Sequence, residues 1–182
     1  MFRSAAWSPA GLGPLGTPLI AALDSEFDLN LLQATHNALR GPWSLHRCLN
    51  AHQSRLPEGE TPQQQRLRTL GDQVTHSAWS RKYSRSSALL AAGTRSGEVL
   101  IWNCQGSEHV SDPVRIQVAD QIVQEVLWAD KIVLEAGDTP SGTPRLTLAA
   151  IIARKGVRLL DVFVSSAGIQ CTLLDEQPPF LS

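Results

Sequence analysis

Three things are scarce in this chain: cysteine, lysine and long apolar runs. The 182 residues include 3 cysteines, Cys48, Cys104 and Cys171. That is too few for a disulfide framework and would leave one thiol over, so a reducing compartment is expected. Lysine occurs only as Lys82, Lys131 and Lys155, so arginine carries most of the positive charge. The formal net charge of −1 excludes an overall field that would draw in DNA or a membrane surface. No apolar run approaches the ~18 residues that a spanning helix needs. The opening Met1-Phe2-Arg3-Ser4 lacks the apolar stretch of a secretory signal. What is present is a globular composition. Hydrophobic residues are 42% and charged residues 18%, which excludes a chain disordered throughout. At about 150 residues per domain the length predicts one domain, able to bury roughly 70% of its unfolded surface.

A threefold repeat organises the chain. The first unit has Ala6-Trp7-Ser8-Pro9, then Leu19-Ile20-Ala21-Ala22-Leu23, then Leu29-Asn30-Leu31-Leu32. The second has Ala78-Trp79-Ser80, then Leu89-Leu90-Ala91-Ala92-Gly93, then Val99-Leu100-Ile101-Trp102. The third has Leu127-Trp128-Ala129, then Leu146 to Ile151, then Val157-Arg158-Leu159-Leu160. Trp7, Trp79 and Trp128 stand 72 and 49 residues apart, so the spacing is uneven while the internal order is constant.

Each run is four to eight residues long and bounded by Gly, Pro, Ser or Asp, which suits strands. Leu146–Ile152 is apolar on both sides, as expected of a strand covered on both faces. Arg95-Ser96-Gly97 and Arg154-Lys155-Gly156 end in the Gly of a tight hairpin. Outer strands are predicted at Trp43–Leu49, Val114–Val118 and Ile169–Leu174. The fold class is therefore all-β: a partial β-propeller of about three four-stranded blades, near 1–50, 69–120 and 121–176. The polar stretch 51–68, with two prolines and a glutamine run, is predicted to be a flexible insertion. Gly137–Pro144 is predicted to be a shorter loop. Met1 stands almost directly against the first Trp strand, and closed propellers carry about four to eight blades. The chain is therefore expected to be part of a larger protein. Alone, it is expected to expose open strand edges and apolar blade faces and to be poorly soluble or oligomeric.

The second unit resembles a WD repeat. Gly93-Thr94-Arg95-Ser96-Gly97 stands at the turn, and Ile101-Trp102-Asn103 ends a strand where such repeats have Ile-Trp-Asp. Asp72 replaces the histidine and Ser96 the turn aspartate, so the buried His–Ser/Thr–Asp–Trp relay of those repeats cannot form. Only Thr94 and Trp102 remain of it. The first unit, Trp7-Ser8-Pro9-Ala10-Gly11-Leu12-Gly13 followed by Leu19-Ile20-Ala21-Ala22-Leu23, resembles the N-terminal propeller region of the transcription factor IIIC delta subunit family, fungal type. His36-Asn37-Ala38-Leu39-Arg40, the Arg66 and Arg68 lead and Trp79-Ser80 follow in that family's order. The resemblance implies a nuclear, non-catalytic scaffold of the RNA polymerase III factor. Its partners would be the other subunits of that factor at transfer-RNA and 5S gene promoters, with DNA contact indirect or weak. It implies no membrane, cofactor or small-molecule ligand. The alternatives are a WD-like adaptor of another complex or an acetyltransferase-related subunit, by analogy with animal relatives.

Chemical motifs point elsewhere. Gly11-Leu12-Gly13-Pro14-Leu15-Gly16 matches G-x-G-x-x-G, but Pro14 and Pro18 block the helix that would cradle a phosphate. Asp24, Glu26 and Asp28 alternate like calcium ligands, yet Leu29 and Thr35 stand where an EF-hand needs Gly and Glu. His46, Cys48 and His52 lack a second ligand pair for zinc. No G-x-S-x-G occurs. One basic cluster remains, Arg81, Lys82 and Arg85 around Tyr83, with Arg95 a strand later. It is a candidate partner or phosphate contact, and Ser84 lies three residues after Arg81 as a kinase site would. Trp7, Trp79 and Trp128 are expected to pack between blades. With Gly93, Thr94, Gly97 and Trp102 they are the structural repeat residues.

Overall fold

The computed structural model describes residues 1–36, 41–49, 61–106, 108–135 and 143–174. The apolar runs are short and bounded by turn residues, and they form antiparallel strands. β1 (Phe2–Trp7), β2 (Leu19–Asp24), β3 (Leu29–Ala34) and β4 (Trp43–Cys48) make sheet one, paired in chain order. The helix α1 (Pro62–Gly71) leads into sheet two, which holds β5 (Val74–Trp79), β6 (Ser87–Thr94), β7 (Glu98–Gln105), β8 (His109–Val110) and β9 (Val114–Gln117). There both β8 and β9 pair with β7. Sheet three is β10 (Val123–Glu135), β11 (Thr143–Ile152), β12 (Gly156–Ser165) and β13 (Gly168–Leu174). This is a partial β-propeller of three blades. In each the Trp-bearing strand lies at one edge, and β5 touches both β1 and β10.

The Trp-Ser pair has a local reason. Ser8 donates its amide to Leu19 O at 2.9 Å, and its hydroxyl accepts the Leu19 amide at 2.8 Å. Ser80 repeats this with Leu89, at 2.8 and 2.9 Å. The hydroxyl thus caps the strand pair as the chain turns away. Ala129 has no hydroxyl. In sheet three the pairing is interrupted between Trp128 and Ile132, and both strands then run on to Glu135 and from Thr143. Of the loop predicted at 137–144, Thr143 and Pro144 therefore belong to β11, and 137–142 lie outside the described residues.

The first hairpin is shaped by Asp24. Its Oδ1 accepts the amides of Glu26 (2.9 Å) and Asp28 (3.0 Å), and its Oδ2 accepts Asn30 Nδ2 at 2.9 Å. The acids that mimic calcium ligands build a turn instead.

Two expectations need correction. Residues 51–60 of the predicted flexible insertion lie outside the described residues, but Pro62–Gly71 is helical. Thr61 Oγ1 accepts the Gln64 amide at 3.3 Å, and Gln64 Oε1 accepts the Thr61 amide at 2.9 Å. This capping box, with Pro62 in the first turn, starts a helix from a polar sequence. The second correction concerns Leu146–Ile152. β6 of the central sheet is buried at all eight positions, whereas in β11 buried Leu146, Leu148, Ala150 and Ile152 alternate with half-buried Thr147, Ala149 and Ile151. Only one face of sheet three is covered.

Two glycines end hairpin turns with left-handed backbone, Gly97 at φ +86 and Gly156 at φ +84. A Cβ on Gly156 would meet nothing within 4 Å, while one on Gly97 would strike the Ala119 carbonyl. Gly156→Ala is expected to cost about 1–2 kcal/mol from backbone strain alone. Gly97→Ala is expected to cost clearly more, read as a lower urea midpoint. Equal midpoints for the two variants would contradict the close approach.

Candidate functional site

Residues paired across a sheet share a face, so the register defines what each blade presents. Sheet one turns Ala6, Ala21 and Leu31 toward sheet two, which answers with Trp79, Leu90 and Trp102. Sheet two turns Ala78, Ala91 and Ile101 toward sheet three, which answers with Trp128, Leu148 and Leu160. A row of small and branched residues thus meets a row led by Trp at both junctions. Trp79 Nε1 donates to Ala6 O at 3.2 Å, and Trp128 Nε1 donates to Ala78 O at 3.0 Å. The residue before one Trp is Ala, and its short side chain lets the next indole reach the carbonyl. Arg47 Nη1 to Val110 O (2.8 Å) and Thr75 Oγ1 to Val123 O (2.5 Å) tie the same junctions. Gly93 belongs here too, since a Cβ would come within 2.5 Å of Val123 Cγ1. Trp7 occupies the same strand position but lies on the outer face of sheet one, 56% exposed and edge-on to Trp43 at 5.4 Å.

The position of the WD relay is rebuilt. Thr94 Oγ1 accepts the Glu98 amide at 3.0 Å and contacts Ser96 Oγ at 3.0 Å. Asp72 is buried beside Arg115, whose Nη1 lies 3.4 Å from Asp72 Oδ1 and 3.2 Å from Glu98 Oε2. An arginine on β9 therefore pairs the acid that stands in the histidine's place. Nothing in the WD pattern marks Arg115, and only the register of β9 on β7 puts it there.

The basic cluster divides. Arg81, Lys82 and Arg85 are exposed together in the β5–β6 loop, where Lys82 Nζ donates to Arg85 O at 3.1 Å. Tyr83 turns inward and donates its hydroxyl to Asn103 Oδ1 at 2.5 Å, and burial raises its pKa. Arg95 follows β6 at its other end, on the order of 25 Å away at ~3.3 Å per residue. It binds Gln73 Oε1 at 2.7 Å and does not join the other three.

The glycine loop closes on itself. The Gly11 amide donates to Gly16 O (2.9 Å) and the Gly13 amide to Thr17 O (2.6 Å). Leu12 is fully buried, and only the three-residue turn Pro14–Gly16 follows. The Gly11 and Gly13 amides are therefore committed to the loop. His52 lies outside the described residues, among which no group of three or more His, Cys, Asp or Glu is placed to hold a metal. Burial pushes the Cys104 thiol up to about 12. It does the same to Cys171, with the Asp161 charge adding to the rise. Neither is a thiolate nucleophile near neutral pH.

Stacked antiparallel sheets, two of four strands and one of five, joined through their Trp strands define a β-propeller protein. The chain belongs to the transcription factor IIIC subunit delta β-propeller domain family, whose profile matches residues 1–170. No curated protein matches it. Among solved structures it is similar to the β-propeller domain of Cps50 (Swd1) from Myceliophteria thermophila, with 19% identity and a TM-score of 0.52. That match covers 85% of this chain and 42% of the Cps50 chain, and it bears on the fold alone. No helix among the described residues is long and apolar enough to cross a membrane.

Trp128→Phe keeps the ring and removes the indole donor, so it is expected to cost about 1 kcal/mol by urea unfolding. Ala78→Leu is expected to cost about 1–3 kcal/mol by overfilling the junction. No loss in either variant would remove the junction bond from the fold's requirements. The thiols give a pH effect. In the fold Cys104 and Cys171 hold their protons to about 12, against an ordinary 9.0. Their contribution is complete below the unfolded-chain pKa and is lost as pH rises toward 12. The urea midpoint is expected to fall from pH 8 to pH 10.5, less steeply in a Cys104→Ala/Cys171→Ala variant. Identical slopes would contradict the assignment.

Proposed function

We propose that this chain is a non-catalytic scaffold of transcription factor IIIC. It would hold sister subunits through its propeller surfaces at transfer-RNA and 5S gene promoters in the nucleus. The observation that carries this reading is the family match over residues 1–170. The spent Gly11 and Gly13 amides, the protonated Cys104 and Cys171 thiols and the turn-building Asp24 support a scaffold over an acyl-transfer enzyme. The exposed Arg81, Lys82 and Arg85 are the proposed contact for an acidic partner surface or for phosphate, so DNA contact is indirect or weak. Propeller blades of this kind suit binding by loops and faces.

Affinity purification of the tagged chain from nuclear extract is expected to recover other subunits of the factor, and Arg81→Ala/Lys82→Ala/Arg85→Ala to recover less. Recovery of a different complex would favour the adaptor reading. Unchanged recovery by the triple variant would dispose of the basic loop. A calorimetric titration with acetyl-CoA is expected to give no heat at millimolar ligand.

A further inference from the structure

The loop that joins β1 to β2 holds a residue that neither its backbone nor its packing asks for. Pro14 to Thr17 is a tight turn, closed by the Thr17 amide on Pro14 O at 3.1 Å. Its central residues, Leu15 and Gly16, both have left-handed backbone, at φ +54 and +78. A turn of this hand is suited by Gly, Asn or Asp at the first central position, and leucine is disfavoured there. The Leu15 side chain is 92% exposed, so no packing offsets the strain. An exposed leucine alone is ordinary. One held in strained backbone with nothing to pack on points to a use outside the fold.

The place of the loop decides what that use is. It leans over the junction of sheets one and two, where fully buried Leu12 packs with Leu19, Ala88 and Trp79. A Cβ on Gly11 would stand 2.8 Å from Lys82 Nζ, so the ammonium of the β5–β6 loop lies over this glycine. The Gly11 amide is bound to Gly16 O at 2.9 Å. Leu15, one residue before Gly16, therefore stands on the order of 10 Å from the backbone that Lys82 covers. Arg81 and Arg85 are exposed beside Lys82, while Tyr83 turns inward to Asn103. The two loops, 8–18 and 80–86, contain three cations and no acid. Glu108 lies on the next turn, where the Gly106 amide donates to Ser86 O at 2.7 Å, and the sum stays positive.

We propose that Leu15 and the cations of Arg81, Lys82 and Arg85 form one docking surface, and that its occupant is an acidic protein segment with an apolar residue among its carboxylates. The proposal rests on the reading of the basic loop as a partner contact and names that partner's chemistry. Carboxylates take the guanidinium and ammonium groups, and the apolar residue packs on Leu15. The leucine decides between the two kinds of anion open to the loop. A phosphate chain gains nothing from it, whereas a protein segment can take it out of water.

Fluorescence anisotropy of the full chain with labelled synthetic probes tests this. One peptide sets leucines among glutamates, a second has Ser at every Leu with equal length and charge, and the third probe is a single-stranded DNA of equal charge. The leucine peptide is expected to bind at least about fivefold more tightly than the serine peptide, and more tightly than the DNA. Leu15→Gly is expected to abolish that preference while it keeps or raises the urea midpoint, because glycine suits the turn. Arg81→Ala/Lys82→Ala/Arg85→Ala is expected to weaken both peptides, and added salt to do the same. No preference for leucine, a preference that survives Leu15→Gly, or DNA bound as tightly as the leucine peptide would overturn the proposal. So would a lowered midpoint in Leu15→Gly, since Leu15 would then serve the fold. If the serine peptide still responds to salt and to the triple variant in those cases, the basic-loop contact stands and only the part given to Leu15 falls. No binding of either peptide, or binding that ignores the triple variant, removes the contact itself and the proposal with it.

Discussion

A sheet whose two faces are both apolar has to be covered twice, and the fold follows from that requirement. β6 meets it, with all eight residues buried between sheets one and three. The indole bond converts that coverage into a fixed register. An apolar face alone tolerates sliding by a residue pair, because alternate positions look alike. A Trp N–H that must reach one carbonyl does not. Trp79 to Ala6 and Trp128 to Ala78 therefore act as pins, and Ala before Trp is the condition that lets them close.

The polar side chains inside this frame serve the backbone. Ser8 and Ser80 finish strand pairs, Asp24 gathers the amides of a hairpin, and Thr94 receives the amide that starts β7. Asp72 shows how the frame absorbs a lost motif. It is 8% exposed, and a buried polar group needs a partner. Arg115 reaches it from the outer strand, so an ion pair does the work of the missing histidine relay. The relay is one way to tie the outer strand to the turn, and charge pairing is another.

Much of this was legible in the residues. The Trp-led order gave the number of sheets, the run lengths gave the strands, and Gly97 and Gly156 marked hairpins that the backbone angles confirm. What was missed shares a cause. The helix α1 is set by a local hydrogen-bond exchange, Thr61 with Gln64, inside a stretch whose composition reads as disordered. Composition averages over residues, whereas a capping box is one pair at one spacing. Arg95 was grouped with Arg81 by nearness in sequence, yet an eight-residue strand separates them. Arg115 was invisible because its meaning depends on which residue of β7 it lies beside. Short-range signals survive in a single sequence; pairings made through register do not.

The apparent error at Leu146–Ile152 is the most informative of these. The residues are apolar on both sides, as a doubly covered strand requires, and the structure buries them on one. A strand meant to face water on one side would alternate apolar with polar residues. Ala149 and Ile151 do not, and neither do Leu127, Leu159 and Leu174 on the same face. In a repeat array, stability is the sum of each unit's own folding and its contacts with neighbours. The central sheet has two such contacts and each end sheet one, while all three are composed as if they had two. The end sheets are therefore composed for the double cover that the central sheet receives, and each has it on one face.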